Sequence, residues 1–415
     1  MFLRSTRSST GAWIFFLTLV VGAISFFSFF RSISTNTASF IADEMYWIRT
    51  GGIVPLLARG DYKDPLWNEY WGYANFNGAK IFYGIGLSLF GHTEAEFDTL
   101  GLPPQTYFRF QKFEGGVFPA SNDLYHLLRD GRTVSAIFAS ASLGLFFVFL
   151  ILLLRRPVLA LGVSLALLFH PIVQEIATHA LGDSMFLFFE CLLLVVSEWY
   201  LAKKQKTSVW FPFCIGAILA GIASIKLNGL MFFGVFLVYE ALRQSVRTLH
   251  GARVMLTPIA VCTVGFFLVF TMLHPNFFFY PERSPVTIIL DRVRITKYHM
   301  EYFGKLTPSH ILRTFPQRIT SSVRHIFANW QIVLVVLMGS IGALVELIVA
   351  AGKNSSPSRR TTGIFLSIYL VIITYVVFDE GRYFLPVLPL LLAVAGCGFR
   401  FMTGALGPLS PFRHG

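Results

Sequence analysis

The strongest constraint on this chain is a series of about ten apolar segments, most of them close to twenty residues long. A segment of that length crosses a bilayer as a helix, because a helix satisfies its own backbone hydrogen bonds where no water is present. The predicted spans are residues 11–30, 132–154, 158–174, 183–202, 209–225, 228–242, 254–273, 328–350, 362–378 and 384–402. Hydrophobic residues make up 54% of the chain and charged residues only 13%, about half the charged share of a soluble domain. The sequence therefore predicts an all-α polytopic membrane protein.

The basic residues between these segments predict how the chain is oriented. They gather at Arg4 and Arg7, Arg155 and Arg156, Lys203 to Lys206, Arg243 to Arg253, Lys353 to Arg360, and Arg413. All these links fall on one side if residues 76–91 do not cross the membrane, and the positive-inside rule makes that side cytoplasmic. We therefore expect 76–91 to form a helix in the interface. Orientation then accounts for the net charge of +12, and no nucleic-acid partner is expected.

This orientation leaves two long segments on the non-cytoplasmic face, residues 31–131 and 274–327. Connections of this length are usually functional, so we expect an outer working face with interfacial helices. The whole chain, 1–415, is expected to be one domain in a prokaryotic plasma membrane, with the endoplasmic reticulum as the alternative. All four cysteines lie in apolar segments and predict neither a disulfide framework nor a zinc site: Cys191, Cys214, Cys262 and Cys397.

An adjacent acidic pair, Asp43-Glu44, lies a few residues beyond the first span. At this boundary a lipid-linked group can meet a water-borne one. Neighbouring side chains of a helix point about 100° apart, so only one carboxylate can face a shared substrate atom, and the other would bind, orient or tune. A carboxylate in a partly dehydrated cleft is a better proton acceptor for an alcohol or amine. The alternative is a solvated pair in a loop.

Two further acids belong to the predicted span 183–202. Asp183 opens this helix on the outer side, where it is either a helix N-cap or a residue facing a site. Glu190 lies seven residues further along, on nearly the same face and deeper in the bilayer. An acid at that depth is either functional or paired with a basic residue of a neighbouring helix.

Several cations on the outer side are candidates for binding an anion. Lys226 lies in a tight outer hairpin, against the trend of the positive-inside rule, and is otherwise a snorkelling lysine. Arg382, at the outer mouth of the last span, either pairs with Asp379 or Glu380 or holds a phosphate bidentately. The loop 274–327 adds further basic residues, of which Arg283 and Arg292 are the phosphate candidates we retain.

Short motifs in order along the chain carry a family resemblance. They are Asp43-Glu44, the stretch from Asn77 through Lys80 to Gly91, Asp183, His274-Pro275-Asn276-Phe277, and Arg382-Tyr383 followed by Pro386 and Pro389. Together they resemble the GT-C superfamily of membrane glycosyltransferases, most closely the branch with the protein O-mannosyltransferases and the lipid A aminoarabinose transferase. Gly78-Ala79 stand before Lys80 where many relatives have two prolines, which is a departure from the pattern.

The resemblance implies transfer of a sugar from a polyprenyl-phosphate donor to a protein, lipid or glycan acceptor on the non-cytoplasmic face. It implies Asp43 as the general base, with Glu44 and Asp183 as the other catalytic candidates. The candidate residues for the donor phosphate are Lys80, Lys226, Arg382, Arg283 and Arg292. Attack opposite the leaving phosphate would invert the anomeric centre. A divalent cation, Mg²⁺ or Mn²⁺, has Asp43 and Glu44 as its candidate ligands, although two carboxylates make a thin ligand set.

Two other classes of protein fit part of this inventory. A transporter or flippase of a lipid-linked anionic glycan would use the same acids and cations to bind cargo, without making a bond. A membrane scaffold would use none of them chemically. Long outer loops next to an acidic pair favour an outer catalytic cavity over alternating access, and the absence of an evident inverted repeat favours it mildly too.

Overall fold

The computed structural model of the chain is helical throughout its described part. That part comprises residues 5–36, 38–68, 77–101, 103–202, 209–244, 249–275, 285–306, 311–327, 330–350, 363–372 without 365 and 369, and 381–405. Within these ranges no β-strand occurs. The predicted class, a helical membrane protein, is confirmed at this level.

The first half of the chain alternates one long helix with a run of short ones. Its helices are α1 (Ser5–Ser34), α2 (Ala42–Thr50), α3 (Ile53–Arg59), α4 (Pro65–Asn68), α5 (Asn77–Leu89), α6 (Glu94–Asp98), α7 (Pro103–Phe110), α8 (Tyr125–Leu154), α9 (Pro157–Leu168), α10 (Pro171–Thr178) and α11 (Asp183–Ala202). A 3₁₀ turn, Gln111–Phe113, follows α7. The described residues of the first predicted outer loop, 31–131, therefore include six short helices, α2 to α7.

The second half contains longer helices. They are α12 (Trp210–Ile225), α13 (Met231–Gln244), α14 (Leu249–Leu273), α15 (Pro285–Leu306), α16 (Phe315–Ile326), α17 (Trp330–Ala350) and α18 (Leu388–Ala405). Two 3₁₀ segments, Leu227–Leu230 and Gly381–Val387, lead into α13 and α18. The second predicted outer loop, 274–327, contains α15 and α16.

Four described helical segments are long and apolar enough to cross a membrane: Ala12–Ser34, Tyr125–Leu154, Leu256–Leu273 and Gly381–Gly404. A fifth span results if α9 and α10 count as one broken pair. Trp210–Ile225 and Val333–Ile348 are apolar but shorter. The predicted total of about ten spans is therefore not reached among the described residues, and of the segment 362–378 only 363–372 is described, without 365 and 369.

The predicted span 158–174 is not one continuous helix. Its residues fall in two helices, α9 and α10, whose axes are bent by 64°. The break lies at His170-Pro171, where the proline nitrogen cannot donate to the preceding turn and the residue before it disfavours helical backbone. His170 instead becomes the N-cap of α10, and its side chain accepts from the backbone N–H of Ile172.

The long helices pack side by side, with α8 between α1 and α11, and α12 between α11 and α14. Glycines bring α12 and α14 close: Gly216 lies against the backbone of Cys262, and Gly265 against that of Phe213. Small residues at such crossings let helix backbones approach, which is how helices associate where lipid supplies no hydrophobic driving force. Helix α5, predicted to lie in the interface, has only 13 residues and is too short to cross a bilayer.

Candidate functional site

Glu44 lies in the first turn of α2 and is fully buried. Arg132 of α8 donates from Nε and Nη2 to its two carboxylate oxygens, at 2.8 and 2.9 Å. The backbone N–H groups of Ala180 and Ile41 donate to the same carboxylate at 2.8 and 3.1 Å. Four N–H groups thus occupy both oxygens. These contacts support a positioning role for Glu44, which ties α2 to α8, rather than the predicted catalytic one.

Asp43, its neighbour in α2, faces a cavity of about 440 Å³. Its side chain is 34% exposed, because the turn of the helix that buries Glu44 points Asp43 away from Arg132. The cavity is lined by residues from four parts of the chain: Ile41, Asp43, Glu114, Glu175, Leu181, Gly381 and Arg382. Of the predicted acidic pair, Asp43 is therefore the member that a substrate in this cavity can reach.

Arg382 lines the same cavity at the start of the 3₁₀ segment Gly381–Val387. Its Nη1 lies 3.5 Å from Oδ2 of Asp43, and its side chain is 25% exposed. Asp379 and Glu380, the partners considered from sequence, lie outside the described residues. The cavity thus combines an accessible carboxylate with a cation that has the planar geometry for a phosphate.

Lys226 and Asp183 form an ion pair beside this cavity. Asp183 begins α11 and its side chain is 5% exposed, whereas that of Lys226, just after α12, is 21% exposed. The ammonium also lies 5.0 Å from the ring centroid of Tyr383, and the guanidinium of Arg382 lies 5.9 Å from the same centroid. Two predicted phosphate ligands, Lys226 and Arg382, are therefore brought to one aromatic ring.

Lys80 is 1% exposed and is more buried than Lys226 and Arg382, the two other predicted phosphate ligands whose side chains the structure describes. Its Nζ lies 3.5 Å from Oδ1 of Asn77. His274, next to it, donates from Nδ1 to the Phe270 carbonyl at 2.8 Å and accepts the Asn77 N–H at 3.5 Å. Burial, together with the charge of Lys80, lowers the pKa of His274 to about 4, so the ring is neutral. Lys80, Asn77 and His274 therefore form a buried polar cluster.

The remaining predicted residues are not brought to the cavity by any described contact. Arg283 lies outside the described residues, and so does the side chain of Arg292 in α15. Glu190 is fully buried in α11. Neither of its carboxylate oxygens has a hydrogen-bond partner in the part of the chain that the structure describes, so the predicted basic partner on a neighbouring helix is not found there.

Three residues of this region were missed in the sequence. Arg132 is the first residue of the predicted span 132–154, and a basic residue at an outer helix end is the same signal that makes Lys226 a candidate. Glu114 accepts the Ala42 N–H at 2.6 Å and so caps α2. Glu175 lines the cavity from α10. For these two acids the sequence contains no local signal, since only tertiary folding brings residues 70 to 130 positions apart together.

The predicted Mg²⁺ or Mn²⁺ at Asp43 and Glu44 receives no support from this geometry. Both oxygens of Glu44 already accept hydrogen bonds. Asp43, Glu114 and Glu175 share the cavity, but among the described residues they do not bring three ligand atoms within 4.8 Å of one another. Chemically, the cavity offers a proton acceptor and a phosphate-binding cation.

Comparison with known proteins does not assign this site. No protein-family model matches the chain, and no curated protein is significantly similar to it. The interpretation therefore depends on the chemistry of the cavity and on the resemblance of its short motifs.

Proposed function

We propose that the chain is an integral-membrane glycosyltransferase that moves a sugar from a polyprenyl-phosphate donor to a protein, lipid or glycan acceptor. The observation that supports this most is that Asp43 and Arg382 line one cavity, with Oδ2 and Nη1 3.5 Å apart. Glycosyl transfer from a phosphate needs a base for the acceptor and a cation for the leaving group. It needs no general acid, because a phosphate leaves as a stable anion.

In this proposal the ion pair between Asp43 and Arg382 is the resting state of the site. The donor phosphate displaces the carboxylate from the guanidinium, because a phosphate can form bidentate hydrogen bonds with arginine, whereas the contact with Asp43 is long, at 3.5 Å. Asp43 is then free to accept the proton of an acceptor hydroxyl or amine. The acceptor oxygen or nitrogen bonds to the anomeric carbon as the carbon–phosphate oxygen bond breaks, which inverts that carbon.

Lys226 supports the same phosphate in this proposal. Its ammonium lies 5.0 Å from the ring centroid of Tyr383, and the guanidinium of Arg382 lies 5.9 Å from the same centroid. Asp183 holds the ammonium in place through their ion pair, which makes Asp183 a positioning residue. The site faces the non-cytoplasmic side of a prokaryotic plasma membrane in this proposal, because the basic links predict the opposite side as cytoplasmic.

The test is transfer of radiolabel by the purified full-length protein in proteoliposomes. The donors are a panel of polyprenyl-phosphate sugars, and the acceptor source is a membrane extract. Asp43→Asn keeps the size of the side chain but cannot take up the proton, so we expect transfer to fall by about 10²- to 10⁴-fold. Asp123→Asn is the matched control, since Asp123 is an exposed acid of the same outer segment.

Near wild-type transfer by Asp43→Asn would refute the assignment of the base. A transporter would give a different result: the labelled lipid would cross the vesicle membrane without forming a new glycoconjugate. Absence of transfer with every donor of the panel, combined with such movement, would replace the proposal by that alternative.

A further inference from the structure

A second polar cluster lies away from the cavity, where α6 meets the first turn of α8. His92 follows α5, Glu96 belongs to α6 and His126 to α8. Oε1 of Glu96 lies 3.4 Å from Nδ1 of His92 and 3.2 Å from Nε2 of His126. One ligand atom from each of the three residues lies within 4.8 Å of the others. None of these residues lines the cavity of Asp43.

The carboxylate of Glu96 is fixed in place by the start of its own helix. Its Oε2 accepts the backbone N–H of Thr93 at 2.7 Å, and Thr93 and Glu96 form a capping box. This hydrogen bond is the main reason that the pKa of Glu96 is lowered to about 2. Glu96 is therefore ionised at neutral pH, and its second oxygen, Oε1, is presented to both histidines.

His92 is oriented by a second carboxylate on the opposite side of its ring. Its Nε2 lies 3.0 Å from Oδ2 of Asp130, and its side chain is 5% exposed. A neutral imidazole has one N–H and can donate to only one of two carboxylates. The shorter contact indicates that Nε2–H donates to Asp130, which leaves the lone pair of Nδ1 directed toward Glu96. In that arrangement two acceptors face each other, and a cation between them would satisfy both.

We propose that His92, Glu96 and His126 bind a zinc ion. Zinc–ligand bonds of about 2.0–2.2 Å place the ligand atoms of a tetrahedral site about 3.4 Å apart, close to the two distances to Glu96. Two imidazoles and one carboxylate suit Zn²⁺ better than Mg²⁺ or Ca²⁺, which prefer oxygen ligands alone. Asp130 supplies the hydrogen bond that commonly orients a metal-binding histidine.

In this proposal the zinc ion has a structural role, because the site joins two helices. It would fasten α6 to α8, and α6 in turn supports α2, because Arg49 of α2 pairs with Asp98 at 3.2 Å and donates to the Gly101 carbonyl at 2.6 Å. The side chains of Glu96 and His126 are 36% and 48% exposed, so an ion can reach the site from water. Zinc binding therefore stabilises the outer segment that carries Asp43.

The test measures zinc bound to the tag-free, full-length protein in detergent. After removal of metal with a chelator, the protein is titrated with Zn²⁺ against a chromophoric competitor, and with Co²⁺ to record its visible d–d absorption. We expect one ion per chain, tetrahedral Co²⁺ bands and a higher melting temperature with zinc. His126→Gln should abolish all three effects, and Asp130→Asn should weaken binding by about 10- to 100-fold.

Glu94→Gln is the matched control and should bind zinc like the wild type. Glu94 lies on the same helix but pairs with Arg59, so it is not a ligand. Equal binding by the wild type and His126→Gln would overturn the site. So would a wild-type protein that gains neither Co²⁺ bands nor thermal stability. These readouts need no transferase activity, so their result is independent of the function proposed above.

Discussion

At the scale of single residues, Asp43 and Glu44 show how the step of about 100° between neighbouring helix residues directs two adjacent carboxylates into different surroundings. Glu44 is fully buried against Arg132, whereas the side chain of Asp43 is 34% exposed in the cavity. The buried ion pair of Glu44 with Arg132 fixes the orientation of α2, and that orientation determines where Asp43 points. A buried ion pair of this kind is better evidence for specific positioning than for net stability.

Arg132→Met is the direct test of this positioning. Removing the guanidinium leaves the carboxylate of Glu44 buried without a counter-charge, so we expect a loss of about 3–5 kcal/mol in the free energy of unfolding. Chemical denaturation in detergent micelles, followed by tryptophan fluorescence, measures it. The double variant Glu44→Leu/Arg132→Met should regain much of the loss, because no charge is then left buried. A single variant as stable as the wild type would show that α2 is held by other contacts.

Arg382→Leu and Lys226→Met test the proposed phosphate site. A lost charge-assisted hydrogen bond costs about 1.5–3 kcal/mol, which corresponds to a roughly 10- to 150-fold weaker affinity. We expect this loss for the polyprenyl-phosphate sugar and for free polyprenyl phosphate alike, because both contain the phosphate. Equilibrium binding of radiolabelled lipids in nanodiscs measures both affinities.

Lys226→Met needs its own control, because it also leaves Asp183 without its ion-pair partner. The double variant Asp183→Asn/Lys226→Met removes that unpaired charge, so it should restore stability without restoring lipid binding. Unchanged affinities in Arg382→Leu and in the double variant would reduce both cations to anchors at the membrane interface.

At the scale of elements, apolar length and residue type predicted most of the helices, but not their bends or their partners. The predicted segment 132–154 lies within the longer helix α8, and 183–202 coincides with helix α11, although only α8 is among the four candidate spans. Pro171 is a sequence signal for the bend between α9 and α10. The apolar length of 158–174 nevertheless favoured a single span there. The partners of Asp43 could not be predicted, since Arg382 and Glu175 reach the cavity only through the packing of distant helices.

Gly78 determines how closely α5 approaches the end of α12. A Cβ at this position would lie 2.7 Å from the carbonyl oxygen of Ser224, two residues before Lys226. We expect Gly78→Ala to push the two elements apart and to cost about 1–3 kcal/mol in unfolding free energy. Because Ser224 lies two residues before Lys226, a cation of the proposed phosphate site, donor affinity should fall as well.

Gly162→Ala in α9 is the control for Gly78→Ala, measured by the same denaturation and binding assays. Its Cβ would meet no atom within 4 Å, so helix propensity alone should make this variant about 0.5–1 kcal/mol more stable. Two variants with the same stability would show that the close approach at Ser224 is not a constraint.

At the scale of the whole molecule, the helices indicate which segments can cross the membrane, and the charge distribution indicates which side the links between them face. The described helices include four spans by length and composition, and a fifth if the bent pair is one span. Orientation rests on the basic links, because a positive charge near a span is retained on the cytoplasmic side. Asp43, Glu114 and the cluster of His92 all belong to residues 31–131, the segment that this rule assigns to the outside.

Cysteine labelling tests that assignment in intact cells. In a background with Cys191, Cys214, Cys262 and Cys397 replaced by serine or alanine, single cysteines are placed at exposed positions: Ser121 and Gln317 in the two predicted outer loops, and Arg155 in a predicted cytoplasmic link. A membrane-impermeant maleimide added outside should label the first two, and Arg155→Cys only after permeabilisation. Outer residues share one aqueous phase, so their accessibility must agree. Labelling at Ser121→Cys but not at Gln317→Cys would require an odd number of crossings between residues 121 and 317. It would place the two loops on opposite faces and remove the single outer face on which the proposed transfer depends.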